Sequence, residues 1–226
     1  PADYYISLCA HSGRPEVLTD WFDPSITDET DPTSIDESLN MYNPENGPPY
    51  SKEFIKKYRK AQVARNDRIT DWAYSELDRL KEFGMSDRAF NLFRTWADLR
   101  LMDGTIDPSD RQEGVCYAGD PKNANFGPRG IGLTNTLRTW LSMWSLRSSP
   151  CRGAPHLAKI VLPTLVIQSK ADTGVFPGDA KNIYDLIGSA DKQLEMTVGD
   201  HYLTTPDDAR DKHADLIAGW LNKQGV

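Results

Sequence analysis

The sequence has 226 residues, of which 38% are hydrophobic and 26% are charged, and its net charge is −7. This composition is typical of a globular protein with a sizeable core, and no apolar run approaches the ~20 residues that span a membrane. No basic stripe exists to neutralise phosphates, which argues against nucleic acid as a partner. The three cysteines (Cys9, Cys116, Cys151) are widely spaced and form no disulfide framework, so we expect a reducing, cytoplasmic setting.

The N-terminal half combines one strand, one long loop and one long helix. Tyr4–Ala10 predicts a buried strand. Residues 20–50 are rich in Asp, Thr, Ser, Asn and Pro, which predicts an irregular segment. Ser51 then begins a helical pattern that continues to about Phe83, and Gly84 ends it. The apolar residues of segment 89–101 alternate and leave helix and strand both open.

The second half changes from loop to alternating strands and helices. Residues 114–132, rich in Gly, Pro and Asn, predict a loop, and Thr134–Leu146 predicts a helix with Trp140 and Trp144 on one face. The remaining pattern predicts a strand, a helix, a strand and a final helix, in that order: Leu162–Gln168, Gly178–Ile187, Gln193–Val198 and Pro206–Leu221.

An acid and a histidine each follow one of the last two predicted strands. Asp172 stands beside a Gly/Pro turn after the first of them, and His201 ends a Gly-Asp-His sequence directly after the second. An acid and a histidine at such strand ends are two thirds of a hydrolytic triad, in which the carboxylate orients the imidazole. Asp172 could instead be only a turn former, and His201 an ordinary loop histidine. Asp200, on the same turn as His201, is expected to be a solvated neighbour.

With this order of elements, the chain resembles the C-terminal part of an α/β-hydrolase. The matching segments are Pro163–Gln168, Ala171–Pro177 and Gly199–Leu203. The resemblance implies an α/β fold in which residues 1–19 hold the sixth strand, residues 20–156 form a largely helical cap and residues 157–226 form the C-terminal core. It also implies hydrolysis of an ester, thioester or amide of a small molecule through an acyl-enzyme, with Asp172 and His201 as the catalytic pair and no cofactor.

The nucleophile of that family is not found in this sequence. It usually lies in a Gly-x-Ser-x-Gly turn before the sixth strand, and no such motif occurs here. Ser12 follows a strand, but Arg14 stands where the turn needs a small residue, so we interpret it as a loop residue. The resemblance therefore implies a partner: the N-terminal half of the same hydrolase, on a separate or cleaved chain. A strand of that half would also cover the open edge of Tyr4–Ala10.

Several alternatives remain open. Trp140 and Trp144 could belong to the core or form an aromatic wall of a substrate pocket. The function could be that of a non-catalytic ligand-binding relative, of an epoxide or haloalkane hydrolase with an aspartate nucleophile, or of a lyase with the same base. His11 and His156 lack ligand spacing, so no metal is expected. Pro1 is expected to mark a processing boundary and not to act as a catalytic amine.

Overall fold

The structure, a computed structural model, describes residues 2–226, and Pro1, with the expectation about its amine, lies outside the described residues. It is a mixed α/β structure whose strands are β1 (Tyr5–Leu8), β2 (Ala89–Asn91), β3 (Thr134–Thr136), β4 (Thr164–Ser169) and β5 (Lys192–Thr197). The helices are α1 (Arg14–Trp21), α2 (Lys52–Glu82), α3 (Pro121–Phe126), α4 (Leu137–Thr139), α5 (Ala154–Leu157), α6 (Pro177–Leu186) and α7 (Ala209–Lys223). No helix within residues 2–226 is both long enough and apolar enough to cross a bilayer.

The chain divides into two compact units. The sheet unit contains residues 2–12, 106–113 and 153–226, and the helical unit contains residues 13–105 and 114–152. The sequence placed the boundaries after residues 19 and 156 and assigned 106–113 to the cap. The structure differs because α1 packs against α2, and because residues 106–113 bond to the chain segment that follows β4.

A three-stranded parallel sheet forms the core of the sheet unit, in the order β1-β4-β5. All six residues of the central strand β4 are buried, because helices cover both of its faces. Val166 packs against Ala180 and Ile183 of α6, and Leu165 and Ile167 pack against Trp220 of α7. Because the three strands are parallel, their carboxyl ends lie at the same edge of the sheet.

The 31-residue helix α2 forms the core of the helical unit. The side chain of Ser51 accepts the amide hydrogen of Phe54 at 3.1 Å, and Gly84 adopts a left-handed conformation at the other end, so both predicted ends are confirmed. The buried face of α2 carries Ile69, Ala73, Leu77 and Leu80, which pack with Leu18, Phe22, Leu92, Leu137 and Trp140.

Two parts of the helical unit differ from the sequence-based expectation. Thr134–Leu146, predicted as one helix, is instead strand β3, the single turn α4 and a π-helical turn from Trp140 to Trp144. Residues 134–136 pair with β2, and the side chain of Thr136 caps the turn that follows, so a helix cannot include them. Residues 114–132, predicted as loop, contain α3, which Asp120 caps and which Pro121 begins.

Candidate active site

The side chain of Asp172 is buried three residues after the end of β4. Its Oδ1 accepts the backbone N–H groups of Gly174 at 2.7 Å and Val175 at 2.9 Å, which fixes the carboxylate within its own turn. Its Oδ2 is also buried and has no hydrogen-bond partner within residues 2–226. The residue is therefore a turn former, as one sequence interpretation had it, and it also presents a carboxylate to the adjacent strand end.

His201 lies on the loop after β5, and its Nδ1 is 2.8 Å from Asp172 Oδ1. This distance lies within hydrogen-bond reach, about 2.6–3.2 Å, as expected for a carboxylate that orients the imidazole. A carboxylate oxygen only accepts hydrogen bonds, so Nδ1 carries the proton and Nε2 is left as the basic nitrogen. The imidazole is 25% exposed, whereas the carboxylate is fully buried. This arrangement can take up a proton at Nε2 and stabilise the resulting imidazolium; that it does so in catalysis stays a prediction.

The loops that carry the two side chains are bonded directly to each other. The amide of Ala171 donates to the carbonyl of Gly199 at 3.0 Å. Asp200, in contrast, accepts the amide and hydroxyl hydrogens of Thr204 at 2.7 and 2.6 Å and so closes its own turn. These hydrogen bonds lower the pKa of Asp200 against the opposing effect of burial. Asp172 is the carboxylate that contacts the imidazole nitrogen.

A second histidine of the sheet unit, His213, lies deeper and contacts a serine. Ser169 Oγ is 3.3 Å from His213 Nε2, and Thr197 Oγ1 is 2.7 Å from the same nitrogen. His213 Nδ1 contacts the carbonyl oxygen of Ala209 at 2.7 Å, so Nδ1 is the donor and Nε2 accepts from the hydroxyl groups. Both Ser169 and His213 are buried, at 0% and 2% exposure, where no substrate reaches them. This contact joins α7 to the ends of β4 and β5 and has a structural role.

Cys9 directly follows β1 and adopts a left-handed backbone conformation with φ of 44°. Its thiol contacts the hydroxyl of Ser169 at 3.4 Å. Strained residues at strand ends are common at active sites, which makes Cys9 worth testing as a nucleophile. Burial, however, raises the pKa of this thiol, so little thiolate forms at neutral pH. Cys9 is therefore unsuited to nucleophilic attack.

The three cysteines are expected to differ strongly in their reactivity towards a thiol reagent such as DTNB at pH 8. Cys151 is exposed, whereas burial raises the pKa values of Cys9 and Cys116. A raised pKa means less thiolate at every pH below it, so one thiol should react at least about tenfold faster than the other two. Cys151→Ser should remove the fast phase. A fast phase that survives in this variant would make Cys9 a candidate nucleophile again.

Trp140 and Trp144 lie in the core of the helical unit. Trp140 is fully buried, stacks on Phe22 with ring centroids 6.0 Å apart, and donates its indole N–H to Thr70 Oγ1 at 3.1 Å. Trp144 is 6% exposed and lies beneath the guanidinium of Arg14. These contacts match the core-packing interpretation, and the proposed role of the two residues in substrate binding stays a prediction.

A cavity of about 510 Å³ opens elsewhere in the helical unit. Its apolar walls are formed by Ile69, Trp72, Phe90, Leu92 and Phe93. Trp72 meets Phe90 edge to face at 4.9 Å, and the guanidinium of Arg88 lies 5.1 Å from the Trp72 ring. The size and the aromatic lining suit a small apolar ligand. No sequence motif indicated this cavity, because its lining comes from separate segments.

Comparisons with protein-family models, with curated proteins and with solved structures found no match to this chain. The described residues also contain no group of three or more His, Cys, Asp or Glu side chains that could hold a metal ion. The Asp172–His201 pair and the two strands that position it are the features of this chain that bear on its function.

Proposed function

We propose that this chain is the C-terminal part of an α/β-hydrolase that cleaves an ester, thioester or amide through an acyl-enzyme. The observation that carries the proposal is the 2.8 Å contact between Asp172 Oδ1 and His201 Nδ1. The two side chains follow β4 and β5, which are adjacent and parallel, as the acid and the histidine do in the family that the sequence resembles. The strand order β1-β4-β5 agrees with the sixth, seventh and eighth strands of that family.

In the proposed reaction, His201 Nε2 removes the proton of a serine hydroxyl as the oxygen attacks the substrate carbonyl. Asp172 keeps the proton on Nδ1 and stabilises the imidazolium, which then protonates the leaving group. In the second half of the cycle, the same nitrogen activates water, and the acyl group leaves as a carboxylic acid. Three donors to Asp172 Oδ1, from Gly174, Val175 and His201, hold the negative charge in place throughout.

We propose that the serine belongs to an N-terminal half of the same hydrolase, outside residues 1–226. Within residues 2–226, β1 pairs on one side only, with β4. An open strand edge is a site for pairing with another strand, so a strand of the partner half would add here. A contact of this kind between two halves of one core should bury more than the ~1,600 Å² of an ordinary interface.

The test is covalent labelling of the protein as isolated from its source. A fluorophosphonate probe should modify one serine, and mass spectrometry should place it on a polypeptide segment outside these 226 residues. The same preparation should hydrolyse a p-nitrophenyl ester. A preparation that contains the partner segment yet neither reacts with the probe nor hydrolyses the ester would contradict the proposal. A trapped aspartyl ester would instead favour an epoxide or haloalkane hydrolase.

A second candidate is a non-catalytic ligand-binding protein of the same fold. The cavity of about 510 Å³ with its Trp72 and Phe90 walls favours this candidate. An apolar dye that binds there should change the fluorescence of Trp72, and Trp72→Ala should abolish that change. Ligand binding without turnover in the labelled preparation would support this candidate over the first.

A further inference from the structure

One loop of the sheet unit makes several contacts with the segment that carries Asp172. This loop, Ile106–Glu113, is inserted in sequence between two segments of the helical unit, yet it belongs to the sheet unit. We propose that it positions the candidate catalytic acid, with Asp107 and Arg111 as positioning residues. The inference rests on the proposed function, which it deepens by naming side chains that act on the reaction through Asp172.

The first contact is between Asp107 and the start of α6. Both carboxylate oxygens of Asp107 accept the amide hydrogen of Gly178, at 2.9 and 3.1 Å. Pro177, which precedes it, has no N–H, so Gly178 offers the first free donor of the helix, where a negative charge is also favourable. A Cβ at Gly178 would lie 2.7 Å from Asp107 Oδ2, so a larger residue there would push this carboxylate away from the amide.

The backbone of Asp107 is itself unusual. Its φ of 58° lies in the left-handed region, which residues other than glycine rarely adopt. Aspartate tolerates this conformation better than most residues, but it still costs about 1 kcal/mol or more. The unfavourable backbone conformation therefore occurs at the residue whose carboxylate binds the start of α6.

Two further contacts involve residues on either side of Asp172. The amide of Asp110 donates to the carbonyl of Lys170 at 3.0 Å, two residues before Asp172. The guanidinium of Arg111 lies 5.0 Å from the ring of Phe176, four residues after Asp172, and both side chains are buried. The loop therefore contacts the chain two residues before Asp172, at Lys170, and four and six residues after it, at Phe176 and Gly178.

Arg111 also closes the loop on itself. Its Nη1 donates to the carbonyl of Asp107 at 2.5 Å and to Ser109 Oγ at 2.8 Å, and its Nη2 donates to the carbonyl of Ile106 at 2.7 Å. These bonds hold the Asp107 backbone in its left-handed conformation. Arg111 thus restrains the loop through hydrogen bonds within it. Asp107 connects the restrained loop to Gly178, in the segment that follows Asp172.

The test uses the complete protein with ¹⁵N-labelled histidine, in three variants. Asp107→Ala removes both acceptors of the Gly178 amide hydrogen, and Asp107→Asn keeps one acceptor oxygen. Asp110→Ala is the matched control, because this exposed residue contacts Lys170 only through its backbone amide. Two-bond ¹H–¹⁵N spectra report which ring nitrogen of His201 carries the proton, and a His201→Ala spectrum assigns the signals. The second readout is kcat and KM for a p-nitrophenyl ester.

We expect Asp107→Ala to turn the single Nδ1–H tautomer of His201 into a mixture and to lower kcat by about 10- to 100-fold with KM changed less than twofold. Asp107→Asn should give a smaller change, and Asp110→Ala none. Folded Asp107→Ala or Asp107→Asn protein with an unchanged tautomer and an unchanged kcat would overturn the inference. If Asp107→Ala fails to fold, the tautomer of His201 and the kcat of Asp107→Asn decide whether the inference holds. A changed tautomer in a protein that hydrolyses no ester would refute the proposed function and leave the positioning role standing.

Discussion

Replacement of His201 with alanine in the complete protein is expected to lower the turnover of an activated ester by about 10⁴- to 10⁶-fold. The methyl group of alanine cannot take the proton from the nucleophile or return it to the leaving group. The imidazole is a quarter exposed and lies on a loop, so its loss should leave the fold intact. Initial rates with a p-nitrophenyl ester, together with the far-UV circular dichroism of both proteins, measure the effect.

Two variants make this result specific. Asp172→Asn should lower kcat by about 10⁴-fold, because an amide can donate to Nδ1 and so favours the wrong tautomer of His201. His156→Ala is the control: His156 is an exposed histidine of the same unit, on the short helix α5, and its loss should leave turnover within about twofold of the parent. If His201→Ala keeps a tenth of the parent activity, the assignment of His201 as the base is wrong.

The pair could be predicted from the sequence because short-range patterns determine its position. The apolar residues of β4 mark a buried strand, and the predicted bounds Leu162–Gln168 lie within two residues of the observed Thr164–Ser169. The same is true of β5. Once two parallel strands are recognised, the residues after their carboxyl ends must lie at one edge of the sheet. The proximity of Asp172 and His201 could therefore be predicted without knowing any other contact in the structure.

The loop Ile106–Glu113 could not be predicted in this way. Its contacts with Lys170 and Gly178 use one backbone amide and one carboxylate, and neither leaves a periodic pattern in the sequence. Helix α1 was missed for a related reason: its eight residues include Pro15, Thr19 and Asp20, and they show no clear apolar stripe. The π-helical turn at Trp140 has the apolar spacing of an α-helix, so the pattern alone could not distinguish the two.

The largest expected effect on stability is at Arg65, on α2. This guanidinium is fully buried and donates to both carboxylate oxygens of Glu29, at 2.9 and 2.7 Å. It also donates to the carbonyl oxygens of Asp23 at 3.0 Å and Phe93 at 2.9 Å, and it lies over the Phe22 ring. Arg65→Met keeps much of the volume but removes two hydrogen bonds from Glu29 and leaves the carbonyl groups of Asp23 and Phe93 without this donor. The free energy of unfolding should fall by about 3–5 kcal/mol.

Arg68→Met is the matched control, because Arg68 lies one turn further along α2 and pairs with the same Glu29, at 3.6 Å. Its side chain is 51% exposed, so water replaces its contacts and the loss should stay below about 1 kcal/mol. Urea unfolding followed by tryptophan fluorescence measures both variants. Five of the six tryptophans lie in the helical unit, so the signal reports on that unit even if the two units unfold separately. Equal losses in both variants would mean that the pairing with Glu29, and not the burial of Arg65, determines its contribution to stability.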